Sequence, residues 1–135
     1  MELFGSYTSP YVRHCRIAFK ETGLAYSFTE TDHDMSAKLS PAKKVPFLHH
    51  NDLRFFDSSS ILKYVREKNG ERFFADTTDF DQYCLVNTAM DATINLFLLS
   101  KEGVTPENNG YMKRQHERVH EILALMESRD HAVAY

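Results

Sequence analysis

The chain has little of what usually fixes a protein's class at sight. Its 135 residues include two cysteines, Cys15 and Cys84, far apart and in no C-x-x-C pair, which excludes a disulfide framework and a dithiol redox centre. Buried free thiols are the expectation for both. No apolar run approaches membrane-spanning length, and Met1 leads into E-L-F-G-S-Y with neither a basic nor an apolar leader segment. A cytoplasmic protein without a membrane partner is therefore expected. Basic residues are not in excess: the formal net charge is -3 with both signs scattered, so no nucleic-acid face is suggested. Tandem repeats and low-complexity tracts are also absent. What is present is 42% hydrophobic residues, among them 10 Phe and 7 Tyr, enough for a packed core and too many for a disordered chain.

The stretch P-A-K-K-V-P-F-L-H-H-N-D-L-R-F-F-D-S-S-S, residues 41–60, organises the reading. Phe47 to His49 and Leu53 to Phe56 flank Asn51-Asp52 and predict a β-hairpin. Pro46 cannot donate to a strand ladder and belongs at the start of the first strand, where a cis X-Pro bond is most at home. After the hairpin, Asp57 and three serines precede I-L-K-Y-V-R-E-K-N-G, with Ile61, Leu62 and Val65 on one helical face and Gly70 as the stop. The free amides and hydroxyls at that helix start would suit a carboxylate, although on spacing alone Ser58 is equally well a cap.

From the N-terminus, Glu2 to Tyr7 predicts a strand. Ser9-Pro10 predicts a helix start, with Ser9 as cap, Val12, Cys15 and Phe19 on the apolar face and Gly23 as the end. Tyr26 to Thr31 alternates like a strand, and a short irregular or helical piece covers 34–39. The order is β-α-β-α-β-β-α, which fits a mixed sheet covered by helices, with the first two strands parallel. A linker over 71–77 should pack through its aromatics. Two long amphipathic helices follow, one from near Thr78 to near Gly103 bearing Phe80, Tyr83, Met90, Ile94 and Phe97. The other starts near Tyr111 and bears Val119, Ile122, Leu123 and Met126. Between them they leave apolar surface that needs a partner.

Together these residues resemble a known family, the cytosolic glutathione transferases. Ser9 with Pro10, Val45-Pro46 before the third strand, and Asp57-Ser58 beyond it look like that family's N-terminal thioredoxin-like domain. The run S-Y-T-S-P-Y-V-R-H-C-R-I-A is similar to its bacterial, serine-type branch. The resemblance implies an α/β thioredoxin-like domain over 1–76, followed by a partial all-α domain over 77–135. It implies glutathione as co-substrate, a small electrophile as second substrate and a homodimer. Pro46 would be cis, Val45 would hold the cysteinyl part of glutathione through its backbone, and Asp57-Ser58 would take the γ-glutamyl end. Ser9 would stabilise the thiolate, with Tyr7 as alternative. Lys44 and His33, in loops beside the hairpin, would meet the glycyl carboxylate. Lys43 stands where the family commonly has glycine, a departure that bears on the turn. Two helices after the linker are fewer than the family has, so much of the electrophile's wall is expected to be missing. That shortening favours the rival reading, a partner-binding module on the same scaffold without turnover.

One further motif is present. His116-Glu117-Arg118-Val119-His120 matches H-E-x-x-H, which on a helix sets two imidazoles on one face for zinc. His131 is the only downstream candidate for a third ligand and has no scaffold around it. A solvated helix face is the reading adopted, with no metal expected.

Overall fold

The computed structural model describes residues 1–129 and divides into two compact units, the first Met1–Phe73 and the second beginning at Phe74. In the first unit the order is β1 (Glu2–Gly5), α1 (Pro10–Thr22), β2 (Ser27–Glu30), α2 (His33–Leu39), β3 (Phe47–His50), β4 (Leu53–Phe55) and α3 (Ser58–Lys68). The four strands make one mixed sheet in the order β2-β1-β3-β4, with β2 parallel to β1, and β3 antiparallel to both β1 and β4. This is the mixed sheet expected from the element order, and the thioredoxin-like one that the resemblance implied.

Local chemistry accounts for the boundaries. Ser9 sits extended at the cap of α1 and accepts from the Val12 amide, Pro10 opens the helix, and Gly23 closes it with a left-handed φ of 67°. The tight hairpin turn is made by Asn51, φ 53°, a residue that tolerates that region. Strand alternation then sorts the faces. Leu3 pairs with Leu48 across β1 and β3 on one face, while Phe4 pairs with Phe47 on the other, their rings stacked at 4.6 Å. Val12, Cys15, Phe19, Ile61, Leu62 and Val65 are fully buried, and α1 packs on α3.

An ion-pair network centred on a buried arginine, with half-exposed carboxylates, joins the two helices. Arg66, its side chain only 11% exposed, donates to Glu21 at the end of α1 and to Glu71 beyond α3, the latter at 3.0 Å. Neither partner lies at a spacing that the sequence pattern would reveal.

In the second unit α4 (Thr77–Ser100) and α5 (Gly110–Ser128) pack on each other. Asp76 caps α4, and Phe74 contacts Phe80 and Tyr83 at ring distances of 4.9 and 5.1 Å, the aromatic anchoring expected of the linker. The buried stripes overlap the expected ones only in part, at Tyr83 and Ile122. Gln82, Tyr83, Ala89 and Ala92 are buried on α4, and Met112, Gln115 and Ile122 on α5, whereas Phe80, Phe97, Leu98 and Leu123 are about half exposed. Small alanines let a helix approach its neighbour closely, and that draws the contact away from the bulkiest side chains. Cys84 is also exposed on α4, against the expectation of a buried thiol; Cys15 is buried as expected.

Candidate functional site

Strand directions gather the candidate residues. Because β3 runs antiparallel to β1 and Phe4 pairs with Phe47, the end of β1 lies beside the start of β3. Leu48 pairs with Phe55, so the end of β4 lies there too, and parallel β2 finishes at the same edge. The loop carrying Tyr7, Thr8 and Ser9, the Lys44–Pro46 segment, the start of α2 at His33 and the start of α3 at Asp57 therefore all open from one end of the sheet. Two contacts close the set. Lys44 Nζ donates to Asp57 Oδ2 at 3.2 Å, and the Cys15 thiol points at the Ser58 carbonyl, 3.9 Å away, tying α1 to α3 directly beneath the site. Burial pushes the Cys15 thiol far up, with the Asp57 charge adding to the effect, so this sulfur is a packing group.

The peptide bond between Val45 and Pro46 is cis. Lys43, three residues before Pro46, takes a φ of 51°, the left-handed backbone that a glycine would adopt without strain. The turn forms with lysine in that backbone, and the Lys43 amide donates to the Ser40 carbonyl at 3.0 Å.

Asp57, and not Ser58, is the cap of α3: its Oδ1 accepts from the Ser59 amide at 2.9 Å. Ser58 is the first helical residue and is buried, so its backbone amide belongs to the unsatisfied first turn. Partial burial works to raise the Asp57 carboxyl. The Ser59 amide and the Lys44 ammonium outweigh it, and the group is held below the usual carboxylate range. Its folded value being depressed, the stabilisation is present above the ordinary carboxylate value, about 3.9, and is lost as pH falls through the folded one. Asp57→Asn keeps a capping oxygen, so it should remove this acid sensitivity while leaving the helix start intact. Asp57→Ala should also lose the cap, about 1 kcal/mol, in urea titrations compared at pH 7 and pH 3. Identical acid slopes in wild type and Asp57→Asn would refute the assignment.

Ser9 Oγ lies 3.4 Å from the Val12 amide and is partly exposed. Accepting from that amide leaves its own hydrogen free to donate outward. Tyr7 is 51% exposed and turned elsewhere: its ring packs on Phe28 of β2 at 4.9 Å, with the Arg16 guanidinium 4.8 Å above it. His33 is the first residue of α2 and not a loop residue as expected; it is exposed, and its carbonyl accepts from Ser36. Lys44 is likewise committed to Asp57. Sequence reasoning missed the Lys44–Asp57 pair and the Arg16 clamp because each joins separate elements.

Residues 3–73 match the family described as "Glutathione S-transferase, N-terminal domain". The chain belongs to the glutathione S-transferase family. Among curated proteins it is 35% identical over 72 residues to glutathione S-transferase U6 of Arabidopsis thaliana, a match covering 50% of this chain and 32% of that one. It is 26% identical over 138 residues to the uncharacterised GST-like protein YibF of Escherichia coli, covering 94% of this chain and 68% of YibF. The match spans about a third of the length of the Arabidopsis thaliana relatives. Among solved structures, glutathione transferase URE2P6 of Phanerochaete chrysosporium, in complex with oxidized glutathione, superposes with a TM-score of 0.70 at 16% identity. That superposition covers 99% of this glutathione S-transferase family chain and 71% of URE2P6. At that identity the likeness speaks for the fold alone. No helix among the described residues is long and apolar enough to cross a membrane.

Proposed function

We propose that this chain binds glutathione at the shared sheet end and stabilises its thiolate with the Ser9 hydroxyl, in the manner of a serine-type glutathione transferase. The observation that carries the reading is the convergence of Ser9, the cis Val45-Pro46 bond and the Asp57-Ser58 helix start on one edge of the sheet. Val45, just before the cis bond, would pair with the cysteinyl backbone. The γ-glutamyl carboxylate would accept from the free amide and hydroxyl of Ser58, at the positive end of an eleven-residue helix, and Asp57 would face the ligand's ammonium. Lys44 and His33 flank the glycyl end.

A free thiol titrates near about 8.5 and is mostly protonated at neutral pH. A hydroxyl donating to the thiolate contributes about 1.5 to 3 kcal/mol, one to two pKa units, and the α1 N-terminus adds to it. The proton leaves to solvent, and the sulfur attacks the carbon of a small electrophile. The C–S bond of the thioether forms as the bond to that carbon's leaving group breaks, and the group departs with the electron pair. With a peroxide as acceptor, two glutathiones are oxidised to the disulfide and the peroxide is reduced to alcohol and water. A cytoplasmic setting, which keeps the tripeptide reduced, completes the reading.

Melting with and without glutathione tests binding. At 100 times its dissociation constant the tripeptide should add about 2.7 kcal/mol of stability to the site. An unchanged melting curve at millimolar glutathione would leave the second reading, a partner-binding module, which is favoured by the half-exposed Phe97, Leu98 and Leu123 on α4 and α5. The same apolar surface would serve a homodimer under either reading.

A further inference from the structure

The H-E-x-x-H motif sits on α5, in the second unit, on residues that the proposed glutathione site does not use. His116 and His120 are both exposed, one turn apart, with ring centroids 4.5 Å apart. Their Nε2 atoms approach to 3.2 Å. Nothing in the sequence pattern demands this: exposed imidazoles one turn apart have rotamers that keep their polar nitrogens separately in water.

The separation has a chemical meaning. Metal–imidazole bonds are about 2.0–2.1 Å, so one ion bonded to two nitrogens 3.2 Å apart would subtend about 100°, between the square and tetrahedral angles. Glu107, in the turn before α5, lies within electrostatic reach of His116 and makes the surroundings more favourable to a cation. Among the described residues no group of three or more His, Cys, Asp and Glu side chains is placed to hold an ion. Among the described residues the arrangement available is therefore two protein ligands, with water in the remaining positions.

We propose that His116 and His120 form a two-imidazole chelate for a first-row divalent transition metal, of the copper, nickel or zinc kind. Imidazole nitrogen selects that end of the metal series over magnesium and calcium, which prefer oxygen. The competitor for the same space is a proton: one neutral ring can donate its N–H to the other at this distance. The chelate also bridges one helical turn, and a ligand that binds the folded helix stabilises it.

The test uses the full chain, free of glutathione and other thiols, with nickel and copper salts as probes. Calorimetric titration should give one equivalent of bound metal, and the copper complex should show two equatorial nitrogens by electron paramagnetic resonance. His116→Ala and His120→Ala, each a change to the best helix former, should weaken binding about a hundredfold, because each removes the tethered second ligand. Cys84→Ser should leave the titration unchanged. No saturable binding would mean that the rings share only a proton, and the proposal fails. It fails equally if the double alanine variant still binds with wild-type affinity, or if binding is lost with Cys84 and kept without the histidines.

Discussion

Ser9→Ala is expected to lower kcat/KM for glutathione conjugation by about ten- to a hundredfold while changing the dissociation constant for glutathione only a few-fold. The factor is the rate equivalent of one hydroxyl-to-thiolate hydrogen bond, roughly 1.5 to 3 kcal/mol. Affinity is spared because the tripeptide's backbone and γ-glutamyl carboxylate would be held elsewhere, at Val45 and at the start of α3. Ser9 also caps α1, so the alanine variant loses about 1 kcal/mol of stability as well. Assays must therefore run well below its melting temperature. Two companions separate the roles. Ser9→Thr retains both cap and hydroxyl and should keep most of the activity. Tyr7→Phe should be close to wild type, since the Tyr7 ring is held against Phe28 under Arg16. The decisive readout is the absorbance of the bound thiolate as a function of pH. A thiol pKa unchanged in Ser9→Ala and raised in Tyr7→Phe would move the role to Tyr7.

What the sequence made legible follows from how far each signal reaches. Ser9-Pro10, Gly23 and the Asn51-Asp52 turn act within four or five residues, and each element they bound lies where expected to within a few positions. Asp57 capping α3 in place of Ser58 is an error of one residue, made because either side chain can supply the oxygen. The faces of α4 and α5, right at Tyr83 and Ile122 and wrong at Phe80, Phe97 and Leu123, are a different case. Periodicity shows which side of a helix is apolar, but which part of that stripe meets a neighbour depends on where the backbones approach, and here Ala89 and Ala92 are buried while Phe97 is not. Arg66 bridging Glu21 and Glu71, and Lys44 bound to Asp57, are products of the folded topology and have no local signature. The candidate site stands between these cases. Its members are recognisable singly as caps, a proline and a turn, and only the strand directions bring them to one edge.

Gly5 was invisible for the same reason, and substituting it should have the largest structural effect in the molecule. It ends β1, is buried, and faces α1 so closely that a Cβ atom built on it would lie 2.6 Å from both Cγ1 and Cγ2 of Val12. Its φ is an ordinary one, so the demand is for space and not for backbone freedom. Val12 has no slack, being fully buried on a short-branched, stiff side chain one turn after Ser9. Gly5→Ala must therefore push α1 off the sheet, at about 1 to 3 kcal/mol or more, which for a unit of this size lowers the melting temperature by about 4 to 8 °C per kcal/mol. The same displacement carries Ser9 with it, so activity should fall beyond what the lost stability explains. Val12→Ala opens the space the new methyl needs. Alone it should destabilise through its cavity; combined with Gly5→Ala it should recover part of the loss, giving a favourable coupling of about 1 kcal/mol or more in a double-mutant cycle. Strict additivity of the two changes in urea titrations would mean that the two residues do not meet, and that the first strand and first helix are spaced by something other than this contact.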